Sequence, residues 1–105
     1  MKKQLSPVLF LPHGGGPLPL LGDVNHQEML KFMQEIIPSL GTPESILIIS
    51  AHWEEELVTI TSGKNPSLIY DYYGFPEESY QLKYPAPGDP VLAQKIAILL
   101  QENGI

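Results

Sequence analysis

The chain has 105 residues, 43% of them hydrophobic, with a mean hydropathy near zero, the size and composition of one domain with a modest core rather than a disordered segment. Twelve acidic against six basic residues give a formal net charge of -6, which disfavours a nucleic-acid backbone as partner, and no apolar run approaches the ~18 residues of a membrane span. Cysteine is absent, so disulfides and thiolate metal centres are excluded and any metal must be held by histidine and carboxylate.

Lys2 and Lys3 resemble the start of a signal peptide, but Pro7, Pro12 and His13 interrupt the apolar segment that should follow. A soluble, cytoplasmic protein is therefore expected, without a membrane or nucleic-acid partner. Eleven prolines and nine glycines fall mainly between the periodic segments, the mark of a loop-rich α/β protein. One domain over residues 1–105 is expected.

Pro7 to Leu11 is a continuous apolar run stopped by Pro12, which predicts a strand buried on both faces. Gly14 to Pro19 cannot open a helix directly, because Pro17 and Pro19 bias their predecessors toward extended backbone. Asn25 with Glu28 has the form of a capping box. Behind it Met29, Phe32, Met33, Ile36 and Ile37 mark one helical face, and the helix should run from about Gln27 to Ile37 and stop near Pro38 or Gly41. His26 is expected to be exposed beside the helix start.

Ser45 to Ser50 predicts a second buried strand. Strand, helix and strand in this order imply a right-handed crossover between parallel strands, so the fold class is α/β, with a βαβ-based, partly parallel sheet and flanking helices. That topology delivers His13 and His52 to the same edge of the sheet. Strand spacing of about 4.8 Å would let the two imidazoles meet at one ion. Leu57 to Thr61 alternates and predicts a more exposed strand. Residues 70–88 are rich in aromatics, Pro and Gly without a clean period, and predict an ordered loop. Asp89 should cap a last helix with Pro90 at its first position, an apolar stripe of Leu92, Ile96, Leu99 and Leu100, and Gly104 as its stop.

Two histidines read alone are compatible with a metal site or with hydrogen-bonded loop residues, and their equivalent placement after two strands favours the metal. Gly14-Gly15-Gly16 lacks the Lys and Ser or Thr of a phosphate cradle, so its glycines are expected to let the backbone pass close to whatever His13 holds. Glu54, Glu55 and Glu56 form a solvated acidic turn or supply a carboxylate beside His52. With such a carboxylate base, a hydrolytic zinc site is a further reading. Tyr70, Tyr72, Tyr73, Phe75, Tyr80 and Tyr84 either wall a pocket or pack a loop down on the core.

Phe-Leu-Pro-His-Gly-Gly-Gly-Pro, Ile-Ile-Ser-Ala-His-Trp, Tyr-Asp-Tyr-Tyr-Gly-Phe-Pro and Tyr-Pro-Ala-Pro-Gly-Asp-Pro, in this order, resemble the class III extradiol ring-cleavage dioxygenases, in the branch typified by 4,5-DOPA extradiol dioxygenase. The resemblance spans Val8 to about Leu100. Gly15 and Gly16 depart from the more usual His-Gly-Ser-Pro. It implies the N-terminal part of that fold, His13 and His52 as metal ligands, and Fe(II) as the metal with Zn(II) as the alternative. Gly14, Trp53, Tyr73 and Phe75 become candidates for the substrate pocket, with a catechol-type molecule and O2 as reactants.

Family members are more than twice as long, and the segment that carries the third ligand and the acid/base histidine has no counterpart here. Inactivity alone is expected, with a missing C-terminal portion or self-association covering exposed apolar surface. The competing expectation is a non-catalytic binding or assembly protein on the same scaffold.

Overall fold

A computed structural model describes residues 5–105. Two α-helices and four short 3₁₀ helices are formed, and no strand is assigned among the described residues. The chain divides into two units, one of residues up to Glu44 with Gly74–Ser79, the other of Ser45–Tyr73 with Tyr80–Ile105.

In the first unit, residues 8–11 are not paired into a ladder, and Val8 and Phe10 are 94% and 102% exposed. The chain then turns into a 3₁₀ helix, Leu18–Leu21, with Pro19 in its first turn and the amide of Gly22 closing back on the Leu18 carbonyl. The prolines expected to keep this stretch extended instead start a short helix, because a first-turn proline gives up no needed N–H. A second 3₁₀ helix, Val24–His26, is capped by Asp23, whose carboxylate accepts the Asn25 amide at 3.2 Å. It runs directly into α1, Gln27–Ile36. The expected Asn25 capping box is not formed. Asn25 lies inside the preceding turn, and His26 occupies the cap position without a side-chain cap bond.

Met29, Met33 and Ile36 of the predicted stripe are half-buried, whereas Phe32 and Ile37 stay exposed. Past Ile36 the helix tightens into a 3₁₀ turn, Ile37–Leu40, where Pro38 has no amide to continue the α-ladder. The Ser39 hydroxyl donates to the Ile36 carbonyl at 2.6 Å, and Gly41 at φ 77° ends the turn.

In the second unit, residues 45–50 and 57–61 likewise form no ladder, and Ile49 is 93% exposed. The parallel strands expected to be buried on both faces are thus not formed among the described residues, and the sheet is not confirmed. The physical reason is cooperative: an apolar run becomes a buried strand only when neighbours take up its backbone groups and other layers cover its faces.

The last helix, α2, spans Pro90–Glu102 and follows its local signals closely. Asp89 accepts the Leu92 amide at 3.0 Å, Pro90 sits in the first turn, and Gly104 at φ 76° turns the chain so that the Ile105 amide reaches the Leu100 carbonyl at 2.9 Å. Ala93 is buried, Leu92, Ile96 and Leu100 are half-buried, and Leu99 is 56% exposed. Asp89 also accepts the Ser45 hydroxyl at 2.5 Å, tying the helix start to the residue that opens the unit. No helix among the described residues is long and apolar enough to cross a membrane.

Candidate functional site

His13 follows the apolar run at 8–11 and belongs to the first unit. Its Nδ1 is 2.8 Å from the carbonyl oxygen of Gly14, so Nδ1 carries the proton and Nε2 is the nitrogen suited to ligation. The glycine loop behind it is anchored by an unexpected residue. The Gly15 amide donates to Nε2 of His26 at 3.0 Å, and Nδ1 of His26 lies 2.6 Å from Asp23 Oδ2. The acceptor role at Nε2 assigns the proton to Nδ1, which donates to the carboxylate.

His26 is therefore not an exposed bystander, since only 17% of its side chain meets solvent. The missed signal was Asp23, three residues before His26, where it both caps the turn and receives the ring.

The glycines pass close to protein side chains. A Cβ on Gly14, at φ 75°, would collide with the His26 ring, and one on Gly16, at φ 50°, would lie 2.7 Å from Cζ of Phe75. The close approach that Gly14 and Gly16 make among the described residues is to His26 and Phe75. Phe75, a pocket candidate, closes over the glycine loop within this unit and is half-buried.

His52 belongs to the second unit. Its amide donates to the Ser50 hydroxyl oxygen at 3.1 Å, and its Nδ1 is 3.1 Å from Asp71 Oδ2. Ser50, His52, Trp53, Ile69 and Asp71 line an open pocket of about 280 Å³. The Trp53 indole donates to Glu55 at 3.1 Å, which engages the middle of the three glutamates.

Asp71 is set by its neighbours in the chain. Tyr70 and Tyr72 meet edge to face at 6.1 Å, and both pack on Tyr80, at 6.2 and 5.3 Å. The Tyr80 hydroxyl donates to the Tyr72 carbonyl at 3.2 Å, and that of Tyr70 to the Leu82 carbonyl. Packing raises the Tyr72 phenol above its ordinary value, first by removing water and then through Tyr70, Tyr80 and Asp71. These three tyrosines pack a loop, whereas Tyr73 is 91% exposed.

Among the described residues no three His, Asp or Glu gather to hold a metal. His13 and His52 fall in different units and are described separately. Each imidazole, with Nδ1 on an oxygen acceptor, is chemically suited to supply one nitrogen ligand.

The family model described as the catalytic LigB subunit of aromatic ring-opening dioxygenase matches residues 7–105. "Dioxygenase tasH" of Hapsidospora irregularis is 46% identical over 108 residues, which cover 96% of this chain and 33% of that protein. "4,5-DOPA dioxygenase extradiol" of Escherichia coli (strain K12) is 37% identical over 95% of this chain and 35% of its own length. The protein of the same name from Portulaca grandiflora is 37% identical over 90% and 35%. No solved structure matches the chain. The chain spans about a third of the length of these curated relatives. A match over residues 7–105, carrying both histidine motifs, makes the chain a member of the LigB family of aromatic ring-opening, class III extradiol dioxygenases, whose fold is α/β.

Proposed function

We propose that the chain is the N-terminal portion of a non-haem, metal-dependent dioxygenase that opens a catechol-type ring with O2, and that His13 and His52 supply two ligands of one ion. The carrying observation is the family match over residues 7–105, which includes both histidine motifs. The Nδ1 contacts support it, because each puts the ring proton on Nδ1 beside an oxygen acceptor, the tautomer in which Nε2 is suited to ligation.

Iron(II) fits this reading. Bound, it would supply a positive centre for the two catechol oxygens and a coordination position for O2. Zinc would hold the same nitrogens without the redox capacity. Trp53, beside His52, and Gly14, Tyr73 and Phe75 are the residues of this chain proposed to shape the substrate pocket. Two nitrogen ligands leave the ion weakly held and the chain inactive alone. The exposed runs at Val8–Leu11 and Ile46–Ile49 support completion by a further portion of the domain. They equally suit a second reading, a non-catalytic assembly scaffold.

The test is anaerobic Fe(II) titration of the chain and of His13→Ala and His52→Ala, followed by a catechol and O2 with absorbance read for the yellow ring-opened product. Weak binding lost in either variant, without turnover, is expected. Binding indifferent to both substitutions sinks the ligand assignment, and robust turnover by the isolated chain sinks its incompleteness.

A further inference from the structure

We propose that Asp71 is a positioning residue for His52, its carboxylate holding the imidazole in the Nδ1–H tautomer so that Nε2 is presented to a metal. The inference rests on the ligand role proposed above for His52.

This histidine is restrained at both its backbone and its ring. Its backbone is held by the Ser50 hydroxyl oxygen, 3.1 Å from the His52 amide, and its ring by Asp71 Oδ2, 3.1 Å from Nδ1. A carboxylate accepts only, so Nδ1 must be the donor and the lone pair falls on Nε2. The side chains are 58% and 42% exposed, and at that exposure the pair adds little to folding. Its consequence is orientation, the part that outer carboxylates play for ligating histidines.

The aromatic segment gives Asp71 its place. Tyr70 and Tyr72, on either side of it in the chain, are packed against Tyr80, and successive side chains along a loop of this kind cannot all enter one cluster. The residue between the two rings is the one that reaches His52. The tyrosines thereby pack the chain on either side of the carboxylate, and Ile69 and Trp53 line the same pocket as the pair.

The experiment reads tautomer and metal affinity separately. Imidazole nitrogen shifts of the metal-free chain, labelled with ¹⁵N-histidine, are recorded for the unsubstituted protein, Asp71→Ala and the isosteric Asp71→Asn, and each is titrated with Zn(II) alone. The His52 signal is expected to show protonated Nδ1 and to move toward the Nε2–H form in Asp71→Ala. Zn(II) affinity should fall about 10- to 100-fold in Asp71→Ala and also fall in Asp71→Asn. Unchanged tyrosine ring shifts in Asp71→Asn keep a folding defect from mimicking the result.

An Nε2–H tautomer in the unsubstituted chain, or a tautomer and affinity indifferent to both substitutions, overturns the proposal. So does a loss of Zn(II) binding with no change of tautomer, which makes Asp71 a ligand itself. If the tautomer depends on Asp71 but the chain and both variants bind no Zn(II), the orienting role stands and the metal reading falls.

Discussion

Nδ1 of His26 lies 2.6 Å from Oδ2 of Asp23, and the opposite nitrogen of the same ring accepts the Gly15 amide at 3.0 Å. One imidazole thereby joins the turn before α1 to the glycine loop after His13. The Gly15 amide has this ring as its partner, so removing the ring leaves a polar group that water must take over. His26→Ala is expected to destabilise the first unit by about 1–2 kcal/mol, because it removes two hydrogen bonds, one from the Gly15 amide and one to the Asp23 carboxylate. Amide hydrogen exchange checks it: Gly15 should lose protection in His26→Ala, and Asp23→Ala should show a smaller loss, since it frees the ring but leaves the acceptor.

Gly16 and Gly22 both have positive φ, 50° and 80°, but only Gly16 has a neighbour in the way. An alanine in the left-handed region costs about 1–2 kcal/mol whatever surrounds it. Gly22→Ala should show that cost alone, because its Cβ would meet open space. Gly16→Ala should cost more, since the Phe75 ring must also move. Urea unfolding of both variants, alone and with Phe75→Ala, separates the contributions: the excess at Gly16 should vanish once the ring is gone.

Local signals were the legible ones. Asp89, Pro90 and Gly104 act within a few residues of their partners, and α2 starts and stops where they place it. The family was legible for a related reason, since its motifs are short strings around His13 and His52. The expected burial of residues 7–11 and 45–50 was not met, because burial depends on what packs against a run rather than on the run itself. The partners of the histidines were hidden differently. Asp71 is separated from His52 by 19 residues, and no periodicity connects them. Asp23 lies only three residues before His26, but Asn25 and Glu28 carry the spacing of a capping box while the carboxylate that caps the turn is Asp23.

Tyr80 is shared by both other rings of the tyrosine cluster and donates to the Tyr72 carbonyl. Tyr80→Phe removes the hydrogen bond and keeps the packing, so it should cost about 1 kcal/mol. Tyr80→Ala removes both and should cost about 2–3 kcal/mol. The near-ultraviolet circular dichroism of the tyrosines, followed through a urea titration, reads the difference. Loss of the cluster signal in Tyr80→Phe equal to that in Tyr80→Ala would contradict packing as the larger contribution.

Asp89 couples the start of α2 to pH. Its carboxyl lies below the ordinary carboxylate value, first because the Ser45 hydroxyl donates to it and then because the Leu92 amide does. A depressed folded-state pKa means that the unfolded chain binds the proton more readily. The stabilisation is therefore complete above the ordinary aspartate value of about 3.9 and disappears as pH falls through the lower, folded value. Removing the Ser45 hydroxyl should raise that folded value toward the ordinary one. Helix content followed by far-ultraviolet circular dichroism from pH 7 to pH 2 should fall at a higher pH in Ser45→Ala than in the unsubstituted chain. In Asp89→Ala the helix should be weaker at pH 7, and the difference from the unsubstituted chain should close on acidification. A difference that widens as pH falls would show that the carboxylate does not cap α2 as the geometry indicates.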